Sequence, residues 1–125
     1  MIMKTDIRVL YVDDEKINTF IFERMLNDYF GVITANTGEE GIEILRKESD
    51  TIKAVISDMR MPGMDGLTFI KKAKEEFPQL PFFLLTAFTD QNEIADAIES
   101  NLVTGCLHKP IEPDIISQEI LSKVN

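Results

Sequence analysis

Residues 54–66 read AVISDMRMPGMDG and join a short apolar run to an abrupt acidic end. The Ala-Val-Ile run has the composition of a buried strand, whereas Asp58 is a poor strand former and is costly to bury without a partner. Pro62 and Gly63 then predict a turn, and Asp65 can cap the helix that follows. The stretch predicts a strand, a loop and a helix. Asp58 either lies simply where the strand meets water or belongs to a functional site.

Apolar runs of strand length recur along the rest of the chain. They lie at 7–12, 30–35, 53–57, 81–85 and 104–108. Each is followed by a segment with helical spacing of its apolar residues. In the first of these segments, one helical face carries Ile17, Phe20, Ile21, Met25 and Tyr29.

Helix-start patterns agree with this alternation. Thr37 and Glu40 have the spacing of a capping box, and Asp90 and Glu93 repeat it. Pro113 suits the first turn of the last helix. These patterns place helix starts directly after strand-length runs.

Five strands therefore alternate with five helices, which predicts a doubly wound α/β fold. Strands that are apolar throughout are typical of a parallel sheet covered on both faces. No linker or repeat interrupts the pattern, so we expect a single domain over residues 1–125.

Composition and net charge argue against several classes of function. The net charge of −9 disfavours direct binding of nucleic acid, and it fits either a plain solubility surface or a carboxylate site for a hard cation. One cysteine and one histidine argue against a disulfide framework and a zinc site. No signal peptide and no apolar run of about 18 residues are evident, so we expect a cytoplasmic protein without membrane contact.

Polar side chains follow four of the predicted strands. They are Asp13 and Asp14 after strand 1, Asp58 after strand 3, Thr86 after strand 4 and Lys109 after strand 5. Ligands bind beyond the carboxyl ends of such strands, so these side chains should converge. Clustered carboxylates repel and need a cation, a lysine or a proton, and an all-oxygen set suits Mg²⁺ or Mn²⁺. Each residue alone has a plain surface explanation, but chance placement of the whole set is improbable.

With these residues the sequence resembles the receiver domain of bacterial two-component response regulators, the CheY-like family, over residues 6–123. The markers are Asp13 and Asp14, Asp58, the turn MPGMDG at 61–66, Thr86 with the small Ala87, and Lys109-Pro110. The resemblance implies a flavodoxin-like sheet with strand order 2-1-3-4-5. It also implies a signalling domain that takes up and slowly loses a phosphoryl group, not a turnover enzyme.

The resemblance assigns a role to each matching residue. Asp58 would be the phosphoacceptor, served by a histidine kinase or a histidine phosphotransfer protein. Asp13, Asp14, Asp58 and the backbone carbonyl of Arg60 would bind Mg²⁺, with Mn²⁺ as a substitute. Lys109 and the Thr86 hydroxyl would bind the phosphoryl oxygens, Ala87 would leave room for them, and the bond to Pro110 would be cis.

Three positions bear on how such a domain would switch. Cys106 stands where the family usually carries an aromatic ring that moves when the threonine shifts, so this chain lacks the ring on which that rotamer switch depends. A free cysteine of this kind usually packs as a small apolar residue. Arg60 and Phe88 lie two residues beyond the acceptor and the threonine, and we expect these bulky side chains to restrict water and prolong the phosphorylated state.

The resemblance also implies partners. Besides the phosphodonor, we expect an output domain or protein to contact the face of helix 4, strand 5 and helix 5, which includes Phe88 and Cys106. Phosphorylation could also drive homodimer formation. One alternative is a receiver-like interaction module that is never phosphorylated; another is a haloacid-dehalogenase-type phosphatase, although Glu15 breaks its D-x-D pattern on strand 1.

Overall fold

A computed structural model of the chain describes residues 7–87 and 91–124. Within these residues, five strands form one parallel sheet: β1 Arg8–Val12, β2 Gly31–Ala35, β3 Ile52–Asp58, β4 Phe82–Thr86 and β5 Gly105–His108. Five helices in the described part of the chain connect and follow them: α1 Lys16–Leu26, α2 Gly38–Glu48, α3 Gly66–Glu76, α4 Gln91–Glu99 and α5 Pro113–Leu121. The strand order is β2-β1-β3-β4-β5, so the predicted doubly wound fold and its order are confirmed.

The sheet is buried on both faces, as its continuous apolar strands predict. One apolar layer lies between the sheet and helices α2, α3 and α4, and a second lies between the sheet and helices α1 and α5. Strand residues alternate between the two: Leu10 and Val12 belong to the first layer, and Val9 and Tyr11 belong to the second. The helices thus hold the strand ends rigidly.

Register brings the polar strand ends to one edge. Val12 of β1 pairs with Ser57, so Asp13 follows β1 where Asp58 ends β3. Asp58 pairs in turn with Leu85, the residue before Thr86. The alignment places acidic and hydroxyl groups of neighbouring strands at a common level, as parallel pairing requires.

The helix starts follow the predicted caps. The Thr37 hydroxyl accepts a hydrogen bond from the Glu40 amide at 3.0 Å, while the Glu40 carboxylate accepts from the Asn36 amide at 2.6 Å. Asp65 accepts from the Thr68 amide at 2.8 Å and caps α3. Pro113 lies in the first turn of α5. Asp90 lies outside the described residues.

Helix α1 packs with a different face from the one its spacing indicated. Ile17 is 61% exposed and Phe20 is 55% exposed, and Ile21 and Met25 are exposed as well. The buried face consists of Thr19, Phe22 and Leu26. Both stripes have helical spacing, and periodicity alone cannot tell which of two apolar faces meets the sheet. As a result, α1 presents an apolar stripe to solvent.

None of the helices in the described ranges has the length and hydropathy that crossing a bilayer requires.

Candidate functional site

Three carboxylates gather at the carboxyl edge of the sheet. Asp13, Asp14 and Asp58 each offer an oxygen, and these oxygens lie within 4.8 Å of one another. Asp13 is fully buried, Asp58 is 7% exposed, and Asp14 faces solvent. The sequence-based expectation that these residues converge holds in the structure.

Asp13 is the most firmly held of the three. Its Oδ2 accepts a hydrogen bond from the Tyr11 hydroxyl at 2.7 Å, and its Oδ1 accepts from the Glu15 amide at 3.1 Å. Its own amide donates to the Ala35 carbonyl at 3.0 Å, and its carbonyl accepts from the Asn36 side-chain amide at 3.0 Å. Backbone and side chain are therefore both fixed where β1 ends.

Lys109 reaches the cluster from the end of β5. Its Nζ donates to Asp58 Oδ1 at 2.8 Å, which also makes an ion pair. Its backbone amide donates to the Thr86 carbonyl at 3.0 Å. The bond from Lys109 to Pro110 is cis, as the resemblance implied.

The negative charge of Asp58 is only partly compensated by its neighbours. Burial raises the pKa of Asp58 above its ordinary value, the hydrogen bond from Lys109 opposes the rise, and the charge of Asp13 adds to it. Because the net direction is upward, Lys109 alone does not offset the desolvation and repulsion. Burial and the bond to Asp13 likewise raise the pKa of Tyr11, so its phenol stays protonated.

The donor set fits a hard divalent cation. Every group in the cluster is a carboxylate, with no sulfur or imidazole among them. Mg²⁺ and Mn²⁺ prefer oxygen ligands, and Mg²⁺ commonly takes one or two carboxylates together with waters. Arg60 follows Asp58 by two residues in the loop after β3. A role for its carbonyl as a ligand stays a prediction.

Thr86 is the last residue of β4 and is 1% exposed. Its hydroxyl donates to the Ala87 carbonyl at 3.0 Å, and Ala87 itself is exposed. Because β4 neighbours β3, Thr86 lies one residue beyond the partner of Asp58. The structure thus puts Thr86 and Ala87 at the same edge as the carboxylates.

Arg60 spans from the β3–α3 loop to helix α4. Its Nη2 donates to Glu93 Oε1 at 2.9 Å, with both side chains exposed. The spacing of Glu93 predicts only a capping role, and nothing in it indicates a partner 33 residues away. Phe88 lies outside the described residues, so the expected effect of Arg60 and Phe88 on phosphate lifetime stays a prediction.

Cys106 lies in β5 and pairs with Leu84 of β4. It is partly buried against the apolar layer between the sheet and helices α2, α3 and α4. Burial raises the pKa of its thiol, which keeps it protonated and supports the packing interpretation. A groove of about 340 Å³ opens next to it, lined in part by Glu112, Ile115 and Glu119 of the chain leading into and along α5. This groove lies on the face expected to contact an output partner.

Two residues of the site were missed from the sequence. Asn36 follows β2 and is not among the polar residues singled out above, yet its side-chain amide donates to the Asp13 carbonyl. Tyr11 lies within the first apolar run and has no predicted role beyond it, yet its hydroxyl donates to the Asp13 carboxylate. Strand alternation could have indicated Tyr11, because residues i and i+2 point to the same side.

Fold and site together define a class: doubly wound α/β domains with an acidic pocket and a lysine at the carboxyl edge of a parallel sheet. The chain belongs to the response regulator receiver domain family, whose sequence profile matches residues 9–121. This membership confirms the resemblance seen in the motifs and places the chain among domains of two-component systems.

Relatives agree with this assignment. The DNA-binding transcriptional regulator NtrC of Escherichia coli is 36% identical over 107 residues, which is 85% of this chain but 22% of NtrC. The sensor histidine kinase RcsC of Escherichia coli is 33% identical over 120 residues, 92% of this chain and 12% of RcsC. The chain therefore spans less than a quarter of the length of these two relatives.

Solved structures show the same fold. A response regulator receiver domain protein from Clostridium thermocellum matches with a TM-score of 0.87 and 27% identity, covering 94% of each chain. The chemotaxis protein CheY4 of Vibrio cholerae matches with a TM-score of 0.81 and 28% identity, covering 94% of this chain and 98% of CheY4.

Proposed function

We propose that this chain is a phosphoacceptor domain in which Asp58 takes a phosphoryl group from a histidine kinase or a histidine phosphotransfer protein. The observation that carries the proposal is the contact of Asp58 with Lys109 inside a cluster of three carboxylates. A carboxylate at a rigid strand end, paired with one cation and close to a metal-type donor set, is arranged as a nucleophile.

The transfer balances as a simple displacement. An Asp58 oxygen forms a bond to phosphorus while the phosphorus–nitrogen bond of the phosphohistidine breaks. The histidine nitrogen leaves with the electron pair and is protonated by solvent, and Asp58 becomes an acyl phosphate. The three non-bridging oxygens then carry negative charge that must be stabilised at the same edge.

Residues around Asp58 are placed to stabilise that charge. Asp13, Asp14, Asp58 and the Arg60 carbonyl would hold Mg²⁺, or Mn²⁺ in its place, which supplies charge neutralisation when bound. The Lys109 ammonium would move from the Asp58 carboxylate to a phosphoryl oxygen. The Thr86 hydroxyl would exchange its bond with the Ala87 carbonyl for a phosphoryl oxygen, which would shift the loop after β4.

We propose that the phosphodonor docks on the exposed apolar stripe of α1. A groove of about 340 Å³ runs from Ile21 and Met25 of α1 to Lys109, Pro110 and Ile111. Its far end is the lysine that bonds the acceptor, so an apolar helix seated there would lie beside Asp58. Exposed apolar patches of this kind commonly bind partner proteins, and helices in grooves are a recurring mode.

Output is proposed to use the face formed by α4, β5 and α5. Ile98 of α4 and Ile115 and Leu121 of α5 are exposed, and the groove beside Cys106 lies near them. This face would contact an output domain or protein, or a second copy after phosphorylation. We further propose that residues 1–125 act as one receiver domain, in the cytoplasm, without direct contact with nucleic acid or membrane.

Acetyl phosphate tests the central proposal. We expect intact-mass spectrometry to show one phosphoryl group added per chain in the presence of Mg²⁺, and none when EDTA removes the metal. Beryllofluoride, which mimics the phosphoryl group, should bind under the same conditions. A wild-type protein that takes up neither would contradict the proposal and favour an interaction module that works without phosphate. Sustained release of phosphate over many turnovers would favour a phosphatase instead.

The α1 docking surface makes a separate prediction. Replacing Ile17 and Phe20 together with serine should slow transfer from a phosphohistidine protein by about 10-fold or more, because buried aromatic anchors carry much of the binding energy at such interfaces. Labelling by acetyl phosphate should stay within about 2-fold, because this small donor needs no docking surface. Radiolabel transfer from a panel of purified phosphohistidine donors measures the first rate.

Ile98→Ser, which changes an exposed apolar residue on α4, is the matched control for the double variant of α1. It should leave the rates of labelling by phosphohistidine proteins and by acetyl phosphate unchanged. Equal loss with both donors would mean that the α1 variant damages the acceptor site. Unchanged transfer from every donor that labels the wild type would rule out docking on α1.

A further inference from the structure

Tyr11 is buried directly beneath the acidic cluster. It is 1% exposed, and its hydroxyl donates to Asp13 Oδ2 at 2.7 Å. Its ring stacks on Phe22 of α1 with 4.0 Å between ring centroids and 11° between ring planes. The phenol is therefore fixed by helix packing on one side and by a carboxylate on the other.

The bond to Tyr11 completes the fixation of Asp13. The Glu15 amide occupies a lone pair of Oδ1 and the Tyr11 hydroxyl occupies a lone pair of Oδ2. With one donor on each oxygen, the carboxylate plane cannot turn without breaking a hydrogen bond. The second lone pair of each oxygen stays available to a cation. Asp13 is buried, so solvent does not readily replace a lost donor.

We propose that Tyr11 is a positioning residue that presets the Asp13 carboxylate for Mg²⁺ and so sets the preference of this pocket for Mg²⁺ over Ca²⁺. This inference rests on the proposed function, since it requires that the carboxylate cluster binds metal. The reason for selectivity is geometric: Mg²⁺ demands near-ideal octahedral ligands, whereas Ca²⁺ accepts a looser and more variable set. Partners that orient metal ligands typically contribute 10- to 100-fold in metal affinity.

Tyr11→Phe isolates the hydroxyl. It keeps the ring and its stacking on Phe22 and removes only the donor to Asp13. Isothermal titration of the metal-free protein should give a Mg²⁺ affinity about 10-fold weaker than wild type. The Ca²⁺ affinity should fall less, so the ratio of the two affinities should shift towards Ca²⁺ by about 3-fold or more.

Two variants serve as controls. Tyr29→Phe removes the hydroxyl of the chain's other tyrosine, which bonds Asp114, a residue that is not part of the carboxylate cluster, and should leave both affinities unchanged. Phe22→Leu weakens the stacking but keeps the hydroxyl. It should lower the unfolding temperature while changing Mg²⁺ affinity less than about 2-fold.

A second measurement does not depend on how well Tyr11→Phe folds. In the Tyr29→Phe background Tyr11 is the chain's only tyrosine, so 3-fluorotyrosine incorporated there gives a single fluorine resonance. That resonance should shift as Mg²⁺ saturates the pocket.

The outcomes separate the two levels of the proposal. If wild type binds neither ion, the proposed function fails. If wild type binds Mg²⁺ but Tyr11→Phe has the same affinity and the same ion preference, or the fluorine resonance does not move, Tyr11 only packs and the inference is overturned.

Discussion

Asp58→Asn is expected to abolish phosphoryl uptake and, in the metal-free protein, to raise the unfolding temperature. Uptake is lost because an amide is not a nucleophile towards phosphorus. Stability rises because burial and the charge of Asp13 together outweigh the bond from Lys109, so the folded protein disfavours a negative charge at this position. Lys109 is partly exposed and can be solvated once its partner is neutral. We expect a rise of roughly 2–5 °C at pH 7.

The pH dependence follows from the direction of the pKa shift. The pKa of Asp58 is raised in the folded protein, so the folded state binds the proton more tightly than the unfolded state does. The stability linked to that proton is fully present below the unfolded value and is lost as pH rises through the folded value. The advantage of Asp58→Asn should therefore be absent at strongly acidic pH, appear through the weakly acidic range and level off above it.

Mg²⁺ should reverse the order of the unfolding temperatures of wild type and Asp58→Asn. The ion offsets the charges of the cluster in the wild type, whereas the amide offers it a weaker ligand, so added Mg²⁺ should stabilise wild type more than the variant. Thermal melts across pH, with and without Mg²⁺, measure both effects. Asp50→Asn is the control, because Asp50 is exposed and precedes the other end of β3. It should change neither the pH dependence of stability nor the response to Mg²⁺. A lower unfolding temperature for metal-free Asp58→Asn at pH 7 would show that the Lys109 bond dominates.

Much of the carboxylate site is predictable because its residues follow strands. A parallel sheet aligns the carboxyl ends of its strands, so Asp13, Asp58, Thr86 and Lys109 can be brought together from sequence once the strands are recognised. The structure confirms their common edge through the pairing of Asp58 with Leu85 and the bond from Lys109. Strand pattern and turn chemistry carry that information locally.

The parts that were not predicted depend on tertiary packing. The apolar residues of α1 form two stripes, and the stripe with Phe22 is buried because the Tyr11 ring of the sheet stacks on it. Periodicity describes each stripe equally well, so it could not choose between them. The pair Arg60 and Glu93 joins two surface segments whose approach is set by the positions of α3 and α4. The spacing of residues along the sequence therefore indicates neither which stripe of α1 is buried nor that Arg60 pairs with Glu93.

Gly66→Ala is expected to disrupt both the fold around Asp58 and its reactivity. A Cβ built at Gly66 would lie 2.1 Å from the Asp58 carbonyl oxygen and 3.1 Å from the Met59 Cα, and both of these atoms belong to the backbone. The Gly66 amide also donates to the Met59 carbonyl at 2.9 Å, which ties the first turn of α3 to the end of β3. No side-chain rotation can relieve such a clash, so either α3 or the strand end must move.

The expected cost is about 3 kcal/mol of unfolding free energy, at the upper end of what overpacking a buried site usually costs. Movement of the strand end also displaces the Asp58 carboxylate from Lys109 and from Asp13. Because a misplacement of about 1 Å can cost roughly 100-fold in rate, labelling of the folded fraction by acetyl phosphate should fall by about that factor. Urea unfolding and the labelling rate in Mg²⁺ measure the two effects.

Gly63→Ala separates steric contact from backbone conformation. Gly63 has φ of +79°, and a Cβ there would meet nothing within 4 Å, so alanine carries only the cost of a left-handed backbone, about 1 kcal/mol. Its labelling rate should stay near that of wild type, because the loop tip can relax without moving β3. If Gly66→Ala instead matched Gly63→Ala in both stability and rate, the close approach of α3 to the end of β3 would not be what fixes Asp58.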